Sequence, residues 1–203
     1  MKIVRPVTID DMTLVSSSAV ETVALYDAGT SYSVGQLARR DTTHRIYESL
    51  QGSNTGNTPE SSPEWWVDIG PANIWSMFDE LNSTQTEAVD QIIVVLAPGE
   101  RIDVIALLNV YAVSAHVVAT DAIDGVVFDE TVNLVSTGGI IDWYTYYTEP
   151  QELAGDVVFD GLPALYANLT FTVTLSFPGQ TVRCGALIAG LDREREQITD
   201  RLL

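Results

Sequence analysis

Residues 169–177 read Leu-Thr-Phe-Thr-Val-Thr-Leu-Ser-Phe, a strict alternation of large apolar and small hydroxyl side chains. Successive side chains on a strand point to opposite faces, so Leu169, Phe171, Val173, Leu175 and Phe177 share one face and the hydroxyls the other. This pattern predicts a β-strand with one buried face, and it sets the texture of the whole second half of the chain. Strands are also predicted at Ile92–Leu96, Ile102–Tyr111, Ser114–Thr120, Val126–Val135, Ile140–Tyr147, Asp156–Leu162 and Thr181–Ala189. Within Val126–Val135 the expected inward set is Val126, Phe128, Val132 and Leu134. About eight strands separated by turn formers predict an antiparallel, jelly-roll-like β-sandwich over 80–190.

Ahead of it lies a segment of different character. Three of the four tryptophans, Trp65, Trp66 and Trp75, fall between residues 26 and 79, among turn formers. Short strands are predicted near Gln36–Arg39, Arg45–Leu50 and Trp65–Ile69. The stretch 51–63 is so rich in Gly, Asn, Thr, Pro and Ser that it reads as a loop. Residues 24–79 are therefore expected to form a small three-stranded aromatic β-module, closed by a short helical turn near Asn73–Leu81. Residues 1–23 read as one strand, with Pro6 at an edge position, and a polar linker. Residues 191–203 read as a charged tail or short helix, or as a docking arm for a partner. The fold class is all-β.

A hydrophobic content of 46% supplies a core for 203 residues. The net charge of −18, with ten basic residues, would repel phosphate backbones, so no nucleic-acid partner is expected. No run of about 18 apolar residues occurs, so no membrane insertion is expected. The N-terminus lacks the charged-then-apolar pattern of a signal peptide, which points to a chain kept in the cytoplasm of its producer. The single cysteine, Cys184, permits no internal disulfide and sits in an apolar run, as a buried thiol would.

Catalytic chemistry is sparsely provided. The two histidines, His44 and His116, have no local motif that would build a metal site or a Ser-His-Asp triad around them. Asp121-Ala-Ile-Asp124-Gly125 lacks the alternating oxygen ligands and closing Glu of a calcium loop and reads as an Asp-rich turn. Asn168-Leu-Thr170 matches a glycosylation sequon that reads as incidental. No enzyme activity, cofactor or metal is expected. The aromatics are the candidate contacts. Tyr26, Tyr32, Tyr47 and Trp66 read as module core, since a small β-module needs large rings to fill it. Adjacent residues of a strand face opposite ways, so Trp65 and Trp66 cannot both face that core, and one of them is expected to be exposed or to pack against the second domain. Trp143 opposes Tyr144 and Tyr146 for the same reason, which leaves exposed or interface rings there.

Two resemblances follow from particular residues. Tyr32-Ser-Val-Gly35-Gln36, Tyr47-Glu48 and Trp66 resemble the turn, strand and closing Trp of small chitin- and cellulose-binding modules of secreted glycosidases. Where those modules continue with sugar-stacking aromatics, this chain has Ser49-Leu50-Gln51-Gly52. A wider set resembles tailed-bacteriophage tail proteins of the tail tip, baseplate or fibre region: Arg5–Ile9, His44–Ser49, Asn54–Asn57, Trp66–Pro71, Trp75–Asp79, Asp124–Val127 and Cys184–Leu187. This second resemblance implies a structural virion protein, assembled in the host cytoplasm, that buries aromatic and apolar faces against other tail proteins and against its own copies. The alternative is a carbohydrate-binding module touching host-surface glycan. Trp65, Tyr47 and Trp143 are the candidate glycan or partner contacts under these two readings.

Overall fold

A computed structural model describes residues 4–136, 143–148, 152–163 and 165–192. The strands are β1 (Val4–Pro6), β2 (Leu14–Ser17), β3 (Leu37–Arg40), β4 (Arg45–Ser49), β5 (Trp66–Pro71), β6 (Thr86–Leu96), β7 (Val104–Tyr111), β8 (Ser114–Asp121), β9 (Gly125–Asn133), β10 (Val135–Ser136), β11 (Glu152–Leu153), β12 (Val157–Asp160) and β13 (Thr170–Asp192). One α-helix, α1 (Trp143–Thr148), lies among them, and a 3-10 helix spans Asn73–Phe78. The chain is all-β, with antiparallel sheets throughout.

β13 organises the sandwich. Its first half pairs with β6 on one side and β8 on the other; its second half keeps β6 and gains β7. The alternation of residues 169–177 does what it predicts, burying Leu169, Phe171, Val173 and Leu175. Phe177-Pro178-Gly179-Gln180 reads as a turn, yet the strand runs through it. Pro178 cannot donate to a ladder, and Gly179 takes a φ of 77°. The outcome is a bulge opposite Asp90, itself at φ 65°, whose carboxylate accepts the Gly179 N–H at 2.6 Å. The sheet bends there, and the two halves close on one core of Ile92, Val94, Leu96, Ile105, Leu107, Val117, Phe159, Phe171, Val173, Leu175 and their neighbours. β9 flanks β8, β12 flanks β7 and β2 flanks β6.

Residues 1–23 are more than a strand and a linker. β1 pairs with the end of β13, and Leu14–Ser17, read as linker, is an edge strand on β6. An edge strand pairs on one side only, so its Ser-rich outer face carries little pattern. β1 requires Gly190: a Cβ there would stand 2.0 Å from the Arg5 carbonyl oxygen. The aromatic module is thus inserted between two strands of the sandwich. Its closing helix belongs to the sandwich, since Met77 is buried in that core.

Two local expectations are corrected. Val126 is exposed, because a bulge between Ala119 and Thr120 shifts the β8–β9 register and brings Val127 as well as Phe128 onto the core. The strand read over Ile140–Tyr147 is replaced, in its described part, by α1, where Trp143 and Tyr147 stack one helical turn apart at 6.3 Å. The tail or helix read at 191–203 lies outside the described residues beyond Asp192.

Candidate functional site

The module has a core of its own. β3, β4 and β5 form the three-stranded sheet, and Tyr32, Ala38, Tyr47 and Trp66 are buried on it. Tyr26 stacks on Tyr32 at 5.7 Å, and Trp66 meets both rings edge-on at 5.9 and 5.0 Å. Arg40 lies over the Tyr26 ring, 5.3 Å from its centroid. The polar loop is tied down: Asn57 O accepts Trp66 Nε1–H at 2.8 Å, and buried Asn54 donates to Ser49 Oγ at 2.9 Å.

The expected contact residues therefore part company. Tyr47 is only 7% exposed, with its ring in the core, so it has no face to offer a sugar. Trp65 is half-buried and packs against the same cluster. The alternation that would turn it outward does not reach it: it closes a turn, donating to Ser62 O at 3.0 Å, and the strand begins at Trp66. Trp143 is 74% exposed on α1, together with Tyr144 and Tyr147. Tyr47 and Trp65 thus share the module cluster, while Trp143 stands on α1.

A cleft of about 800 Å³ lies instead between the module and the sandwich. Ile46 and Pro71 form the module wall. Gln85, Glu87, Ala88, Val89 and Gln91 of the β6 region, with Thr181, form the sandwich wall; Ser18, Val20 and Thr22 close a third side. Its size falls within the range of roughly 300–1,000 Å³ common for ligand sites.

Asn73 sets its shape. The side-chain amide donates to Val20 O at 3.0 Å and Glu87 O at 2.9 Å, and its oxygen accepts Glu87 N–H at 2.9 Å. Glu21 caps the 3-10 helix, accepting from Asn73 N at 3.0 Å and Ile74 N at 2.8 Å. On the module side, His44 at φ 56° stacks on Trp75 at 3.7 Å, with Asp11 3.4 Å from its Nε2.

Charge at the cleft is spent internally. Glu87 pairs with Arg183 at 3.0 Å, and that guanidinium lies 6.0 Å from the Tyr111 ring centroid. Beside Glu87 the lining side chains are neutral: Gln85, whose Nε2–H donates to Asn109 O at 3.2 Å, Ser18, whose Oγ accepts Ile93 N–H at 2.8 Å, Gln91, Thr22 and Thr181, and aliphatic Val20, Ile46 and Val89. Because the Glu87 N–H and C=O turn toward Asn73, ladder alternation turns those of Val89 the same way, along the cleft edge. Val20 and Val89 are each 72% exposed. Sequence reasoning missed this wall. The available signal was Val89, a valine between Glu87 and Gln91 where the alternation of Thr86 and Ala88 inward leaves it outside.

The other candidate groups have settled roles. His116 pairs with Asp129 at 2.8 Å across β8 and β9. Asp121 Oδ1 accepts from Ile123 N and Asp124 N at 2.8 and 3.0 Å, so the Asp-rich segment is the turn it reads as. Burial pushes the Cys184 thiol up to about 12. Among the described residues no cluster of three or more His, Cys, Asp or Glu could hold a metal ion, and no helix is long and apolar enough to cross a membrane.

No protein-family model matches the sequence, and none of the curated proteins matches it. Solved structures give weak likenesses. Chitosan-binding module 1, derived from a chitosanase/glucanase of Paenibacillus sp. IK-5, shares 12% identity and a TM-score of 0.36, over 56% of this chain and 81% of that one. CBM32-1 from a family 31 glycoside hydrolase of Clostridium perfringens shares 13% at 0.36, over 58% and 83%. Reduced XRCC1 bound to the DNA pol beta catalytic domain shares 13% at 0.37, over 78% and 95%. Likeness at this level carries no argument about a ligand. The chain is similar to these proteins in being rich in β-strand.

Proposed function

We propose that the chain is a non-catalytic recognition protein that holds a neutral glycan in the cleft between its aromatic module and its sandwich. The observation that carries the proposal is the lining. Carboxamides and hydroxyls alternate with short aliphatics, and the one lining carboxylate is neutralised by Arg183. A sugar presents the complement: hydroxyls that donate and accept, and C–H faces that pack on Val20, Ile46 and Val89. The absence of an aromatic platform implies modest affinity per sugar unit, gained over several units. A glycan array is the first test, with wild type and Val89→Arg side by side. The proposal predicts binding to uncharged glycans that the arginine, projecting into the cleft, abolishes.

A second reading, assembly within a bacteriophage tail, is favoured by a different surface. Leu37 and Val67 flank Glu48 on the side of the module sheet opposite Tyr47 and Trp66, and with Ile69 they are exposed aliphatics. Such a face suits a contact with another tail protein or a second copy, and it accords with the sequence resemblance and a place in the virion. Light scattering of wild type and Val67→Asp/Ile69→Asp decides it: self-association lost in the variant supports assembly through this face, and a monomer at all concentrations opposes self-assembly there.

A further inference from the structure

The three most exposed aliphatic side chains among the described residues are Met12, Ile123 and Leu165, at 88, 92 and 88%. They are far apart in sequence, yet strand register gathers them at one end of the sandwich. Thr13 O accepts Ala97 N–H at 2.8 Å, which sets the Met12 turn beside the end of β6. Leu96 of β6 pairs with Phe171, and Thr120 of β8 pairs with Thr170, so the turn holding Ile123 sits at the start of β13. The Tyr166 hydroxyl donates to Asp124 Oδ2 at 3.0 Å and ties the Leu165 loop to the Ile123 turn.

Two of these tips are held outward by their turns. Asp10 Oδ1 accepts from Met12 N at 2.9 Å and Thr13 N at 3.0 Å, and Asp121 Oδ1 does the same for Ile123 and Asp124. These backbone N–H groups hold both carboxyls below the usual aspartate range. Around the tips stand four carboxylates, Asp10, Glu100, Asp121 and Asp124, against Arg101 in the loops and Arg5 on neighbouring β1, while Asp11 is turned to His44 at 3.4 Å.

We propose that this end of the sandwich docks a basic protein partner, the three aliphatic tips entering apolar sockets on a surface rimmed by Lys or Arg. Charge complementarity selects the occupant. A second copy meeting the same end would bring carboxylate against carboxylate, and an anionic lipid surface would be repelled. This surface is separate from the cleft and does not depend on the glycan proposal.

The test titrates the full chain with two synthetic amphipathic helical peptides. Both carry a leucine face; one has lysines and the other glutamates on the opposite face. The proposal predicts that the lysine peptide binds, shifting the amide resonances of Met12, Ile123 and Leu165, and that the glutamate peptide does not. Met12→Ser/Ile123→Ser/Leu165→Ser, at positions too exposed to disturb the core, weakens binding at least tenfold. Glu100→Lys weakens it at least twofold, and Val89→Arg leaves it unchanged. Equal binding by the triple-serine variant would overturn the proposal, since charge alone would then suffice. Binding of wild type, but not that variant, to phosphatidylcholine or phosphatidylserine vesicles would reassign the end to a membrane. Self-association lost in the variant would reassign it to a second copy.

Discussion

Trp66→Ala tests whether the module stands on its own aromatic core. Trp66 is buried against Tyr32 and Tyr26 and bonded to Asn57 O. Truncating a buried Trp to Ala costs about 3–5 kcal/mol in a packed core. Each aromatic pair contributes about 0.5–1.5 kcal/mol beyond its area, and a hydrogen bond about 1 kcal/mol. A loss of about 4 kcal/mol is therefore expected, a factor of roughly a thousand in the opening equilibrium. The module core has four buried apolar residues, so a loss of that size exceeds what they can absorb, whereas the sandwich core shares none of them. Hydrogen exchange followed residue by residue is the assay. Protection at Arg39, Tyr47 and Ser49 should fall by two to three orders of magnitude while β6 and β13 keep theirs, and Trp66→Phe should cost about half as much. Unchanged protection in the module, or an equal fall throughout β13, would refute the claim that the module is held by its own rings.

Gly190→Ala should displace β1, because its Cβ would collide with the Arg5 backbone; a loss of about 1–3 kcal/mol in urea denaturation is expected, with Val7 losing the protection it gains from Ala189 O. Cys184 should resist thiol reagents at pH 8 and react only at the rate of unfolding, given its burial and a thiol raised to about 12. Burial pushes Glu60 upward, but its bonds from Arg40 and Thr42 outweigh that and hold it below 4.5. A lowered folded pKa gives stability that is present above the unfolded value and lost as the pH falls through the folded one. Module protection should therefore weaken on acidification below 4.5, and Glu60→Gln should reduce that sensitivity.

What the sequence made legible follows from how far each signal is local. The alternation of residues 169–177 needs nothing beyond itself, and the three short strands of the module are marked by their flanking turn formers. Trp65 defeats the same logic because alternation holds only inside a strand, and the strand starts one residue later. Trp143 to Tyr147 has the aromatic composition of a strand, yet i to i+4 stacking of its rings is available to a helix. Leu14–Ser17 was illegible as a strand because its pairing is supplied by β6, some 80 residues on. The cleft was illegible for a related reason: its walls come from five separate stretches of the chain, and Asn73 ties Val20 to Glu87 through bonds that no spacing announces.

The central claim is that the cleft holds a neutral glycan. The most direct measurement is an amide-detected NMR titration with the strongest uncharged glycan from the array, run on wild type and on Val89→Arg. The account predicts shifts concentrated at Ile46, Asn73, Gln85, Val89, Gln91 and Thr181, all lost in the variant. Shifts that map to the Trp143 helix, or that persist unchanged with arginine at position 89, would contradict it.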